Sequence, residues 1–287
     1  MKNKLVVLIL LFFQLSQTIA QQAQKGLLWE ISGNGISQPS YIFGTIHLIC
    51  PDNFFVPKGT EEKFKIAQQV FLEIDMDDPQ MMSKTQKLMM SADGKKLKDI
   101  MNKSDYKVYS EYFKKTSGMD VAMFGPAKPM VYMSFALMKS AKCPMPKSYE
   151  EYFVKKAKTE KKEVLGLETI EDQVAVMDKA TTEQQVGWLM DAIKETENGN
   201  AIYDQMIDLY KNQDIEALTK MISEQMVGMK GMQDEMLDKR NQNWIPLMEE
   251  NINQKSTFFA VGAGHLGGEK GILKLLQQKG YTLKSLE

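Results

Sequence analysis

Only two histidines occur in the 287 residues, and both stand in the same local pattern. Gly44-Thr45-Ile46-His47-Leu48 and Gly262-Ala263-Gly264-His265-Leu266 each put a glycine three residues ahead of an imidazole, at the end of an apolar run. Glycine frees the backbone for a tight bend. A bend at the carboxyl end of a strand would turn each imidazole into the crevice where open α/β sheets bind ligands. Carboxylates occupy comparable places. Glu73 lies inside the run Val70-Phe71-Leu72-Glu73-Ile74-Asp75, where an unpaired charge is costly to bury, so a metal or a cation is expected beside it. Asp75, nearer the strand end, reads equally as a solvated or a helix-capping acid. Glu168 follows Val164-Leu165-Gly166-Leu167 and serves either a site or the start of a helix. Arg240, in a long charged helix, is ordinarily a surface residue; facing inward it would clamp a carboxylate or stabilise an oxyanion.

Imidazole nitrogen and carboxylate oxygen are the ligand set of a divalent catalytic metal that keeps positions open. Such an ion acidifies water to a pKa of about 7, ready to attack a carbonyl. On this reading His47, His265 and Glu73 hold the ion, Glu73 or Glu168 is the general base, and Arg240 orients substrate. A lone histidine beside a strand is more often a hydrogen-bonded structural partner; the repetition sets this pair apart. No H-E-x-x-H, G-x-S-x-G, P-loop or dinucleotide fingerprint is present. Gly264-His265-Leu266-Gly267-Gly268 is glycine-rich but has the wrong spacing to cradle phosphate.

The elements that must position these residues follow from pattern. Leu27–Ile31 and Tyr41–Phe43 read as a hairpin, with Gly33-Asn34-Gly35 and Pro39 as turn signals. Thr60 reads as the cap of a helix through Gln69. Val70–Asp75 and Glu163–Leu167 are short apolar runs of strand length. Residues 78–160 and 170–253 read as helical, with Pro126 and Pro129 ahead of one helix. Ser148 with Glu151, and Thr182 with Gln185, have capping-box spacing. Ile215, Leu218, Ile222 and Met226 form one stripe after Asp214. Thr257–Val261 is a strand, Glu269–Gln278 a last helix ending at Gly280, and Tyr281–Leu283 a closing strand. The expectation is a single α/β domain with α+β character, residues 21–287, its sheet built from both chain ends around a helical middle. The 22 methionines read mainly as core filler.

Lys2 and Lys4, the apolar run Leu5–Phe13 and Thr18-Ile19-Ala20 have the layout of a cleaved signal peptide, residues 1–20. The apolar run is shorter than the roughly 20 residues a spanning helix needs. No later apolar segment reaches spanning length, so a released or peripheral protein, secreted or periplasmic, is expected. A formal charge of −1 offers no basic surplus for nucleic acid. In an oxidising compartment Cys50 and Cys143 read as one disulfide, worth about 3–5 kcal/mol for a loop of that size. The alternative makes Cys50 a ligand beside His47.

Together, Leu28-Trp29-Glu30, Tyr41 through Leu48, Phe71-Leu72-Glu73, Gly166-Leu167-Glu168-Thr169 with Gln173, Arg240-Asn241, and Val261 through Gly267 resemble the TraB/PrgY/GumN family, which includes the Tiki metalloproteases. The resemblance implies a fold related to the erythromycin-esterase group, with His47, His265 and Glu73 gathered at one site. It also implies a divalent metal such as manganese, cobalt or zinc, and hydrolysis of a peptide or small-molecule substrate. Glu168 and Arg240 match less specific elements. Two further readings stay open: capture of a peptide without turnover, and a metal-free esterase-like hydrolase with one histidine as base.

Overall fold

The computed structural model describes residues 25–286 apart from 198, 200 and 226–231; the leader read at residues 1–20 lies outside them. Six strands form one mixed sheet: β1 (Leu28–Gly33), β2 (Ser40–Thr45), β3 (Gln69–Ile74), β4 (Val164–Glu168), β5 (Thr257–Gly262) and β6 (Tyr281–Ser285). Their order across the sheet is β4-β3-β5-β2-β1-β6. The fold class is therefore α/β, with the sheet supplied largely by the two chain ends and a long helical middle.

The hairpin of β1 and β2 turns through Gly33, Asn34 and Gly35, all with positive φ, and β6 closes the other side of β1. The remaining pairings, β2 with β5, β5 with β3 and β3 with β4, are parallel. Strands covered on both faces read as unbroken apolar runs, and Phe258, Phe259, Ala260 and Val261 of β5 are buried accordingly. Because β2, β5, β3 and β4 run the same way, their carboxyl ends share one edge of the sheet. That edge carries His47, Gly262 with His265, Glu73 and Glu168.

Helices cover the sheet and build a second core away from it. Lys103–Ser117, Pro129–Ser140 and Thr182–Glu197 enclose Tyr109, Phe113, Tyr132, Leu189 and Ile193. Five local expectations are revised. Thr60 lies inside its helix behind Gly59 (φ 88°), and that helix stops at Ile66 because Gln69 already belongs to β3. Thr181, not Thr182, caps the next helix: it exchanges hydrogen bonds with Gln184, donating its backbone N–H to Gln184 Oε1 at 2.8 Å and accepting at Oγ1 at 3.2 Å. Ser148 accepts the Glu151 N–H at 3.3 Å, but its hydroxyl is turned to Glu150, not into a reciprocal box. The last helix begins at Ile272. Methionine fills core at Met177, Met221 and Met248, yet Met82, Met123 and Met145 are more than 70% exposed.

Cys50 and Cys143, 93 positions apart in sequence, are joined in a disulfide with Cα atoms 5.8 Å apart. Cys50 is therefore closed to ligand duty. Among the described residues no helix is long and apolar enough to cross a membrane.

Candidate active site

Glu73 is the centre of the site and is only 5% exposed. β3 carries it inward among apolar neighbours, and three groups compensate its charge. The Gly262 N–H donates to Oε1 at 2.8 Å. Arg240 Nη2 donates to Oε2 at 2.7 Å, and Gln173 Nε2 reaches the same oxygen at 3.2 Å. His265 Nε2 stands 3.8 Å from Oε1. Desolvation alone would raise this carboxyl, but the charges of His265, His47 and Arg240 and the Gly262 amide outweigh it and hold it down at about 2.

Arg240 is the only arginine in the chain; every other side chain of its charge is lysine. It sits one residue into the helix Lys239–Gln254, directly after a wide π turn at Asp234–Asp238, a feature found mostly at functional sites. Its Nη1 donates to Met236 O in that turn at 2.9 Å. The other face grips Glu168, with Nε at 3.0 and 3.2 Å and Nη2 at 2.6 Å. Only a planar fork makes this set of contacts. Trp244 Nε1 donates to the second Glu168 oxygen at 3.0 Å, and its ring lies tilted against that of His265, with centroids 4.6 Å apart. Both Glu168 oxygens are thus occupied in holding Arg240.

His265 is buried. Asn241 Oδ1 lies 2.7 Å from its Nδ1, while the Asn241 amide donates to His265 O at 3.3 Å and to Lys270 O at 2.9 Å. Those carbonyl contacts fix which way the amide faces, so Nδ1 carries the proton and Nε2 turns to the site, 3.2 Å from Arg240 Nη1. Burial, set against the attraction of Glu73 and joined by the charges of Arg240 and His47, lowers the imidazole to about 3. It is neutral.

His47 has the opposite setting. Its ring is 67% exposed and is held at the base by Glu150 Oε1, 3.0 Å from Nδ1. Desolvation lowers its proton affinity, but the hydrogen bond and charge of Glu150, with Glu73 behind, raise it further than that. A methyl group placed on Gly262 would lie 3.1 Å from Glu73 Oε1, 3.5 Å from His265 Cδ2 and 3.9 Å from His47 Nε2. Both imidazoles and the carboxylate therefore face one small volume beside Gly262. The glycines act through close approach, not through positive φ: a methyl on Gly44 would come within 2.8 Å of Leu266 and 3.1 Å of Ala263, so the two histidine motifs pack against each other.

Sequence reasoning placed His47, His265, Glu73, Glu168 and Arg240 at a site, and the fold brings all five to this edge. Asp75 stays out, accepting the Asp77 N–H at 3.2 Å at the surface. Glu150 was not anticipated; its spacing beside Glu151 looks like an ordinary solvated helix start. The lone arginine was a signal that composition could have supplied. Among the described residues no three His, Cys, Asp or Glu side chains stand close enough, as they are, to hold an ion.

The model of the TraB/PrgY/gumN family matches residues 27–285. The chain belongs to this family. Curated relatives include metalloprotease TIKI2 of Danio rerio, 20% identical over 94% of this chain and 63% of its own length. Metalloprotease TIKI2 of Xenopus tropicalis is 22% identical over 92% and 60%, and metalloprotease TIKI1 of Homo sapiens 24% over 92% and 62%. The chain spans somewhat under two thirds of the length of these relatives, and the relatives, at 20–24% identity, support a hydrolase- or protease-like family. No solved structure matches the chain.

Proposed function

We propose that this chain is an exported, metal-dependent hydrolase acting on peptides. The observation that carries the reading is the meeting of His47 Nε2, the His265 ring and Glu73 Oε1 within 4 Å of one point beside Gly262. The donor types suit a divalent ion: each imidazole has its Nδ1 engaged, by Glu150 or by Asn241, which turns Nε2 to the site, where that of His265 would have to exchange its contact with Arg240 Nη1 for the ion. An engaged Nδ1 is the usual outer arrangement around metal-binding histidines. Manganese, cobalt or zinc held by His47, His265 and Glu73 would supply Lewis acidity and acidify water.

The protein's own groups divide the remaining work. Glu73 has Oε1 on the site side, where it would serve as a ligand, and a carboxyl held down at about 2 is a weak base; Glu168, with both oxygens taken, positions Arg240. Arg240 Nη1 spans Met236 O and His265 Nε2, and by exchanging the second contact it would bind a substrate carboxylate or a developing oxyanion. A second reading, capture of a peptide without cleavage, draws on that same contact, since a guanidinium already faces the His265 lone pair.

Incubation with a mixed peptide library separates the readings. Cleavage seen by mass spectrometry, abolished by chelator and restored by manganese, cobalt or zinc, is the expected result. Intact peptide retained by chelator-treated protein would favour capture. Cleavage indifferent to chelator would favour the metal-free, esterase-like reading.

A further inference from the structure

We infer that Glu150 is the positioning residue for His47, a buried carboxylate that decides which ring nitrogen faces the site. The inference rests on the reading of His47 as a site imidazole. That ring is two-thirds exposed, and an exposed imidazole with nothing at its base would exchange tautomers and rotate freely. Glu150 stops both. Its Oε1 faces His47 Nδ1 at 3.0 Å and accepts from Thr45 Oγ1 at 2.7 Å, while Oε2 accepts from Ser148 Oγ at 2.6 Å.

Three features mark this as a built device and not a helix-start acid. Glu150 is 7% exposed, and a carboxylate so buried is costly without charged or hydrogen-bonding partners. Its neighbour Glu151 remains in solvent. The two hydroxyls that aim it come from rigid places, the last residue of β2 and the cap of the helix Tyr149–Glu160. Finally, the two segments are clamped together next to the pair. Ile49 and Lys147 exchange both backbone hydrogen bonds, at 3.0 and 2.8 Å, and the Cys50–Cys143 bridge follows immediately. The disulfide therefore secures the distance between His47 and the carboxylate behind it.

Having two imidazoles makes the test direct. Long-range proton–nitrogen NMR on histidine-labelled protein, above the pH where His47 loses its charge, should show its proton on Nδ1 in the unaltered chain and in Glu150→Gln. In Glu150→Leu it should move to a mixture dominated by Nε2. Zinc(II) affinity by calorimetry should fall about 10- to 100-fold in Glu150→Leu and much less in Glu150→Gln. A Glu150→Leu spectrum superimposable on the native one, or an unchanged zinc affinity, would overturn the inference. Should that variant not fold, Thr45→Val with Ser148→Ala releases the carboxylate from its two hydroxyls, and an unmoved His47 spectrum there is equally fatal. A native chain that binds no zinc, cobalt or manganese removes the metal reading alone; the proton position still judges Glu150.

Discussion

Arg240 neutralises two carboxylates that the fold has taken out of water, Glu73 and Glu168. Replacing it by alanine leaves both uncompensated, so the expected cost is about 3–5 kcal/mol, read from urea denaturation. Arg240→Lys should recover only part of this, because an ammonium cannot span both acids with parallel donors. Gly262→Ala is the complementary experiment. Its methyl enters the space shared by His47, His265 and Glu73, so zinc affinity and any cleavage should drop about 100-fold, while the circular-dichroism melt changes little. The residue scale was legible where chemistry leaves a local mark: repeated glycine–histidine spacing, and an acid inside an apolar run. Glu150 left none. Its burial is created by Thr45 and His47, 105 and 103 positions away in sequence, and no window of neighbours carries that information.

Between residue and whole molecule, the bridge from Cys50 to Cys143 closes a loop of 93 positions. Mutating both cysteines to serine should cost about 4–5 kcal/mol in the chain-entropy model, seen as a lower urea midpoint than that of the oxidised chain. Helix capping gives a finer check. Thr181→Ala should cost about 1 kcal/mol, and Thr182→Ala only a few tenths. The sequence Thr181-Thr182-Glu183-Gln184-Gln185 explains why the box was read one residue late: both threonines have a glutamine three positions on, and tertiary packing of Gln185, which donates to Met177 O and Ala180 O, chooses between them. Strands were easier to read than helix starts. A run covered on both faces must be apolar throughout, whereas one turn of helix depends on a single φ, as at Gly59.

For the molecule as a whole, two site groups make the metal-free chain sensitive to acid. His265 is lowered from 6.5 to about 3 in the fold, so an unfolded chain takes up a proton that the folded chain refuses as pH falls from 6.5 toward 3. Glu73 is lowered from 4.5 to about 2; its contribution is complete above 4.5 and is lost as pH falls toward 2. Both act in the same sense. The melting temperature of chelator-treated protein should therefore fall steadily from pH 7 to pH 4, beginning above the range where carboxylates alone would titrate; a flat profile down to pH 5 would count against a neutral, buried His265. The parallel arrangement of β2, β5, β3 and β4 explains why such distant sequence positions share this behaviour.

The solitary guanidinium has a practical corollary. A dicarbonyl reagent selective for arginine can label this polypeptide at one atom group only, and that group is closed off between Glu73, Glu168 and Trp244. Its rate of labelling would report how often Arg240 comes free of Glu73 and Glu168, and any small molecule that covers Arg240 would announce itself as protection.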